Sequence, residues 1–277
     1  AIATSYMNIP LAHTMGGEIT GTIDESVRHA ITKLSHLHFV SNKDSLQRVI
    51  RLGELKKSVF NVGGLGVDAI KHINLLDKLE LETSLEVKFK EKNLLITFHP
   101  VTLEKETSNV QINELLRALS DFKDTCLIFT MPNADTDSHA ISKAVEDFVS
   151  KNDNAYAFTS LGQLRYLSCI QQVDAVVGNS SSGLAEIPTF KKATINIGDR
   201  QKGRLLCASV INCEPVCDDI KRAIHHSYTT KFRKKMLSVE NPYGDGGASE
   251  RILSTLLSVN FDGLINKEFY DLRSKCA

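Results

Sequence analysis

Short β-branched or apolar runs alternate with amphipathic stretches along most of the chain. Runs bounded by turn residues predict strands over residues 9–13, 37–40, 59–62, 94–98, 125–130, 155–158, 175–178, 193–197 and 210–212. Residues 24–35, 43–52, 110–122, 138–150, 161–171 and 218–227 read as helices. Strands separated by helices of this length imply parallel sheets covered on both faces, so the expected fold class is α/β. No repeat of 20 to 50 residues is visible, which excludes solenoids and propellers. The opening AIATSYMNIPLAHT reads as the end of a helix feeding a strand. The clearest break is LLDKLELETSLEVKFKEK, residues 75–92, whose charge run is expected to be a solvated connector. Only about three strands precede it, a poor independent domain. That part either joins the second as one sheet or belongs to a larger domain.

Composition narrows the function classes. The 277 residues are 42% hydrophobic and 24% charged, as in a globular protein able to bury a sizeable core. Thirty-three Lys and Arg balance 33 Asp and Glu. With no net field, a general nucleic-acid coat and an anionic membrane surface are not expected partners, and phosphate recognition must come from a local pocket. No apolar run of about 18 residues and no basic-then-apolar leader is visible. The six cysteines lack C-x-x-C spacing, and several lie in apolar runs such as TCLIFT, the pattern of core thiols in a reducing compartment. A cytoplasmic location is the expectation.

The most informative motif is VDAVVGNSSSGLAEIPTF. A strand runs into Asn179, Ser180, Ser181, Ser182 and Gly183 and then into a helical start. Hydroxyls and backbone N–H groups at such a turn can converge on an anion, with the helix dipole assisting. The alternative is an ordinary serine-rich helix cap. Glu186, one turn on, could accept hydrogen bonds from a ribose diol. In TINIGDRQKGR, Asp199, Arg200, Lys202 and Arg204 follow another strand end, where a guanidinium suits a diphosphate and where a solvated loop is the alternative.

In HTMGGEITGTIDESVRHAITKLSH, Glu18, Asp24 and Arg28 supply a base, an acid and a cation near a glycine turn, enough for proton-transfer chemistry. Asp24 also fits a helix cap. His29 and His36 fall seven apart on the expected helix. A metal pair is possible on spacing, but no third ligand joins them, so no metal is expected and hydrogen-bonded roles are preferred. His99 closes a strand before a proline, and Asn133 and Asp135 in MPNAD lie beyond another strand end, where turn chemistry also explains them. Four strand ends, near residues 99, 133, 180 and 199, thus present polar groups to one edge.

With these residues the sequence resembles the hydrolysing UDP-N-acetylglucosamine 2-epimerases of sialic acid biosynthesis. The resemblance covers essentially the whole chain and is carried by GGEITGTIDESVRHAITKLSH, FHPVTLE, MPNAD, GNSSSGLAE, INIGDRQKGR and NPYGDGGASERIL. It implies a GT-B pair of Rossmann-like domains with a nucleotide-sugar in the cleft between them. The corresponding divisions are residues 1–64 as the C-terminal portion of the first domain, 65–243 as the UDP-binding domain, and 244–277 as a helix returning to the first domain. About 100 residues of a full first half have no counterpart before Ala1. The resemblance further implies that Ser180, Ser181, Ser182 and Arg200 bind the UDP diphosphate and that Glu186 binds the ribose. Asn133 and Asp135 bind UDP in the same cleft, His99 lines it as a catalytic candidate able to donate to a phosphate or shuttle a proton, and the catalytic candidates Asp24, Arg28 and Glu18 face the sugar.

The implied reaction is anti elimination of UDP across C1 and C2 to a 2-acetamidoglucal, followed by hydration to the inverted free sugar. It requires no redox cofactor, and Asp24 is the implied acid/base residue. UDP and a UDP-sugar are the implied ligands, and a homo-oligomer the implied assembly. One departure is Met15, which stands where relatives often carry a carboxylate or histidine. Competing readings are the hydrolysing 2-epimerase of UDP-N,N'-diacetylbacillosamine, a GT-B glycosyltransferase, and an inactive UDP-binding homologue. The GGEITGTIDESVRHA segment argues against the glycosyltransferase.

Overall fold

A computed structural model describes residues 1–19, 24–100, 107–132 and 138–271. Its elements in chain order are α1 (Ile2–Tyr6), β1 (Ala12–Thr14), α2 (Asp24–Leu34), β2 (Leu37–Val40), α3 (Lys43–Arg51), β3 (Val59–Asn61), α4 (Leu65–His72) and α5 (Lys78–Leu85). Then follow β4 (Lys92–Thr97), α6 (Thr107–Leu119), β5 (Thr125–Thr130), α7 (Ser138–Val149), β6 (Ala155–Phe158), α8 (Gly162–Gln172), β7 (Ala175–Gly178) and the single turn α9 (Ser182–Ala185). The chain continues through β8 (Ala193–Ile197), β9 (Val210–Cys213), α10 (Cys217–Ser227), α11 (Thr230–Met236) and α12 (Ala248–Ser258). It forms two compact units: residues 1–72, 203–205 and 242 onward make the first, and residues 73–202 and 206–241 the second. The α4 helix thus belongs to the first unit, and the division falls after His72 rather than after residue 64.

In the second unit all strands pair in parallel in the order β6-β5-β4-β7-β8-β9. The first three strands run one way across the sheet and the last three the other, so the direction reverses between β4 and β7. That is the doubly wound Rossmann order, whose ligand crevice opens beyond the carboxyl ends of the strands at the reversal. Strands buried on both faces read as continuous apolar runs, as in LLIT, CLIF and AVV. Leu94, Ile96, Leu127, Phe129 and Ile195 pack with Ile112 and Leu115 of α6, Ile141 of α7 and Ile220 of α10 in one core. On the other face α8 packs against β4 and α5.

The first unit has a separate sheet, β1-β2-β3, also parallel. Alternation along β2 divides its packing. Leu37 and Phe39 meet Ile252 and Leu256 of α12, whereas Val40 meets Val49 and Ile50 of α3. Ionic and polar ties reinforce this small core. Glu54, 1% exposed, accepts from His38 Nε2 at 3.0 Å, Lys33 Nζ at 2.6 Å and Lys267 Nζ at 2.8 Å. Burial alone would raise its carboxyl, but hydrogen bonds from His38, Lys267 and Lys33 outweigh that and hold it at about 2. Lys267 also donates to the carbonyls of Lys33 and Ser35, both at 2.6 Å, a cation at the C-terminal end of α2. Asp68 of α4 accepts the N–H groups of Ala248 at 3.1 Å and Ser249 at 3.0 Å, capping α12.

Several expectations are corrected. The charged connector contains α5, closed by a reciprocal Asp77/Glu80 capping box, and Leu81 and Leu85 are buried. The first strand begins at Ala12, because register with Leu37 of β2 sets the pairing and Pro10 has no N–H to donate. The α2 helix ends at Leu34, so His36 lies beyond it, with Nδ1 accepting the Leu11 N–H at 3.0 Å. His29 faces Glu25 at 3.8 Å, one turn away. Among the described residues no three His, Cys, Asp or Glu side chains gather as metal ligands, and no helix is long and apolar enough to cross a membrane. Cys126 and Cys169 are core thiols, and burial raises both, Cys126 to about 11.

Candidate functional site

The second unit carries a cleft of about 900 Å3 beyond the carboxyl ends of β4, β5 and β7, lined among others by His99, Tyr166, Ser180, Glu186 and Arg200. Backbone geometry makes the serine turn. Gly178 ends β7 at φ 141°, and a Cβ there would meet the Thr97 carbonyl oxygen at 1.8 Å. Glycine is therefore required for the chain to leave the sheet beside β4. Gly183 lies against Thr194 of β8, where a Cβ would meet Cγ2 at 2.6 Å, and its carbonyl accepts the Thr194 hydroxyl at 2.7 Å. The turn is thereby held down at both sides.

The serine side chains do not cap a long helix. Ser181, at the N-cap position, makes no side-chain capping bond, and α9 has only four residues. An expected contribution from a helix dipole therefore has little helix behind it. Ser182 instead belongs to a relay. Tyr166 Oη donates to Ser182 Oγ at 2.9 Å, and Ser182 Oγ donates to Glu186 Oε2 at 2.5 Å. Burial pushes the Tyr166 hydroxyl up to about 12, so it remains a donor across the physiological range. The relay holds the carboxylate of Glu186, a residue that lines the cleft.

Arg200 follows β8 and donates to the Asn179 carbonyl at 3.0 Å, with Gln201 Nε2 donating to the same oxygen at 2.8 Å. Its neighbours take the other course considered for this segment. Asp199 and Lys202, each 77% exposed, pair with one another at 3.0 Å in solvent. One loop thus contains both a solvated ion pair and a guanidinium turned to the cleft. His99, 9% exposed, lies at the end of β4 and is bound through its backbone to the Asn179 side chain.

The cleft therefore gathers His99, Ser180, Ser181, Ser182, Glu186 and Arg200. Asn133 and Asp135 lie outside the described residues. Tyr166 also lines the cleft, and Asn179 and Gln201 are buried behind it, bonded to one another. Tyr166 was hidden within the amphipathic pattern of α8. Asn179 was visible only as part of the turn motif.

The remaining expected residues are in the first unit. Glu18, 7% exposed, accepts the Ser41 hydroxyl at 2.5 Å, and Asn42 Nδ2 donates to that hydroxyl at 3.1 Å. Asn42 Oδ1 in turn caps α3 through the Ser45 N–H at 2.8 Å. Arg28 reaches the Glu18 carbonyl at 3.5 Å. Asp24 is exposed in the first turn of α2. Burial, then the charges of His38 and Arg28, lower His13 to about 4, so its imidazole is neutral near pH 7. Met15 is 38% exposed at φ 60°.

The family model described as UDP-N-acetylglucosamine 2-epimerase matches residues 1–257. A GDP/UDP-N,N'-diacetylbacillosamine 2-epimerase (hydrolyzing) of Campylobacter jejuni is 42% identical over 269 residues, covering 96% of this chain and 70% of that protein. The polysialic acid biosynthesis protein P7 of Escherichia coli is 43% identical over 281 residues, covering 98% of this chain and 70% of that protein. Among solved structures, the UDP-GlcNAc 2-epimerase of Neisseria meningitidis bound to UDP-GlcNAc superposes with a TM-score of 0.80 at 20% identity, covering 93% of this chain and 72% of that one.

Proposed function

The chain belongs to the UDP-N-acetylglucosamine 2-epimerase family, and we propose that it acts as a hydrolysing 2-epimerase of a UDP-2-acetamido sugar, with UDP-N-acetylglucosamine as its substrate. The observation that carries this reading is the convergence of the serine turn, Glu186, Arg200 and His99 on one cleft at the reversal of a Rossmann sheet. Ser180, Ser181 and Arg200 receive the diphosphate, and Glu186, oriented by Ser182 and Tyr166, receives the ribose diol.

In the reaction a base removes the C2 proton and the C1–O bond breaks, its electron pair leaving on UDP. The electron pair of the broken C2–H bond becomes the C1–C2 double bond of a 2-acetamidoglucal. Water then adds across that bond, with a proton delivered to C2 on the opposite face, and the free inverted sugar is released. Arg200 and hydroxyl donors act where negative charge develops on the leaving diphosphate, which is the largest electrostatic demand of the step. Proton transfer falls to Asp24 or Glu18 of the first unit, with Arg28 as the accompanying cation. Elimination followed by hydration changes no net oxidation state, so no redox cofactor is required. A nucleotide-sugar substrate fits a cytoplasmic location.

A second reading, UDP-N,N'-diacetylbacillosamine as substrate, is favoured by the identity to the Campylobacter relative. Incubating the protein with each UDP-sugar and following products by NMR tests both. Free N-acetylmannosamine with UDP is the expected result. Turnover of only the diacetylated sugar would transfer the assignment to the second reading. Both UDP-sugars unchanged while UDP binds tightly would overturn the enzymatic proposal.

A further inference from the structure

One buried amide connects three loops at the cleft. Asn179, 1% exposed, directly follows β7. Its Oδ1 accepts the His99 N–H at 2.7 Å and its Nδ2 donates to the His99 carbonyl at 2.9 Å, so the side chain pairs with both backbone groups of one residue. Its own N–H donates to the Thr97 carbonyl at 3.2 Å. Its own carbonyl accepts from Arg200 and Gln201. Regular pairing between β4 and β7 ends at Thr97 opposite Gly178. Asn179 continues that pairing one step further with its side chain in place of a strand, where the sheet order reverses and the crevice opens.

The residue type is demanding. Reciprocal pairing with a peptide unit needs one acceptor and one donor at fixed spacing, which a carboxamide supplies. Aspartate keeps the acceptor but has no N–H for the His99 carbonyl and would set an oxygen against it. Alanine leaves both backbone groups of a buried residue without these bonds.

We propose that the Asn179 side chain is a positioning group that sets His99 relative to the serine turn, so that UDP affinity depends on it through His99, while its backbone carbonyl holds Arg200. This inference rests on the proposed function, in that UDP is the ligand of the cleft. It goes beyond the role assignments above because Asn179 acts on the groups that hold the ligand.

The test measures UDP binding by calorimetry and the His99 ring resonances by NMR, assigned with a His99→Gln variant. The comparison includes wild type, Asn179→Ala, Asn179→Asp and a control, Asn196→Ala. Asn196 is also a buried amide of the same sheet, donating to Asn212 Oδ1 at 2.8 Å. Asn179→Ala is expected to weaken UDP binding about tenfold or more, since two hydrogen bonds to a buried backbone are lost, and to shift the His99 resonances. Asn179→Asp should behave alike and decides the question if the alanine variant does not fold. Asn196→Ala should bind UDP within about twofold of wild type. Unchanged binding and unchanged His99 resonances in the folded Asn179 variants would overturn the inference and leave the functional reading standing. An equal loss in Asn196→Ala would overturn it too, by reducing the effect to general stability. Wild type that binds no UDP would overturn the functional reading, and the inference would fall with it.

Discussion

The two units solve the same problem, holding a parallel sheet with polar groups at its edge, by different means. The second unit has six strands with apolar packing on both faces, and its cleft is organised by hydrogen bonds among Asn179, the His99 backbone, Arg200 and the Tyr166–Ser182–Glu186 relay. Among the described residues the first unit has a three-stranded sheet flanked by small apolar clusters. It relies on buried carboxylates, Glu54 among three basic side chains and Asp68 under α12. The difference lies in how each edge is tied: charge-assisted bonds join segments distant in sequence in the first unit, whereas in the second a buried amide joins residues that follow neighbouring strands.

The sharpest break of this comparison is functional. On the proposed mechanism the second unit binds UDP and the first supplies proton transfer. Asp24→Ala should therefore lower release of free sugar by about 10²- to 10⁴-fold while leaving UDP binding intact. Full turnover in that variant would move the acid/base role elsewhere. Calorimetry and NMR on the same sample read both quantities.

Next in size is the ionic tie. Glu54→Gln keeps the shape but leaves His38, Lys33 and Lys267 without the charge they surround. The expected loss is about 3–5 kcal/mol in the first unit, measured by hydrogen exchange resolved by unit. Loss spread evenly over both units would show that the ionic tie does not act on the first unit alone. Acid should act in the same place. His13 is lowered from 6.5 to about 4, so the unfolded chain binds more protons in that interval and stability falls as pH drops through it. Glu54 is lowered from 4.5 to about 2 and Asp68 from 3.8 to about 2, the latter chiefly by its side-chain bond with Ser249. Their contributions are complete above those ordinary values and disappear toward pH 2. Unit-resolved exchange across pH 7 to 3 should show the first unit opening first.

Smaller effects probe the cleft. Glu186→Ala should weaken UDP binding by about 1.5–3 kcal/mol if the carboxylate receives the ribose. Tyr166→Phe removes only the far end of the relay, and a loss of about 0.5–1.5 kcal/mol is expected. Equal UDP affinity in both variants would remove the relay from ligand binding.

Much of the fold was legible in local pattern. The apolar runs TCLIFT, AVVG and ATINI have the observed bounds of β5, β7 and β8, because strands buried on both faces carry their burial in composition, and AYAF has those of the half-buried edge strand β6. The α5 helix was missed because its inward face is little more than Leu81 and Leu85, set among charges that point to solvent. His36 was misassigned because the register of β2 ends the helix before it, a decision made by pairing rather than propensity.

At the site, local pattern reports the residue types that follow the strands: His99, the serine turn with Glu186 one turn on, and Arg200. Which of these become neighbours was decided by strand order. β4 and β7 are adjacent although Asn93 and Asp174 at their starts are far apart in the chain, and that adjacency brings the Asn179 amide onto the His99 backbone. The Asp68 cap of α12 likewise spans most of the sequence. Periodicity reports how a residue faces its own element, because burial repeats with the backbone. A hydrogen-bond partner from another element is set only when the sheet is assembled, and both Asn179 and Asp68 have partners of that kind.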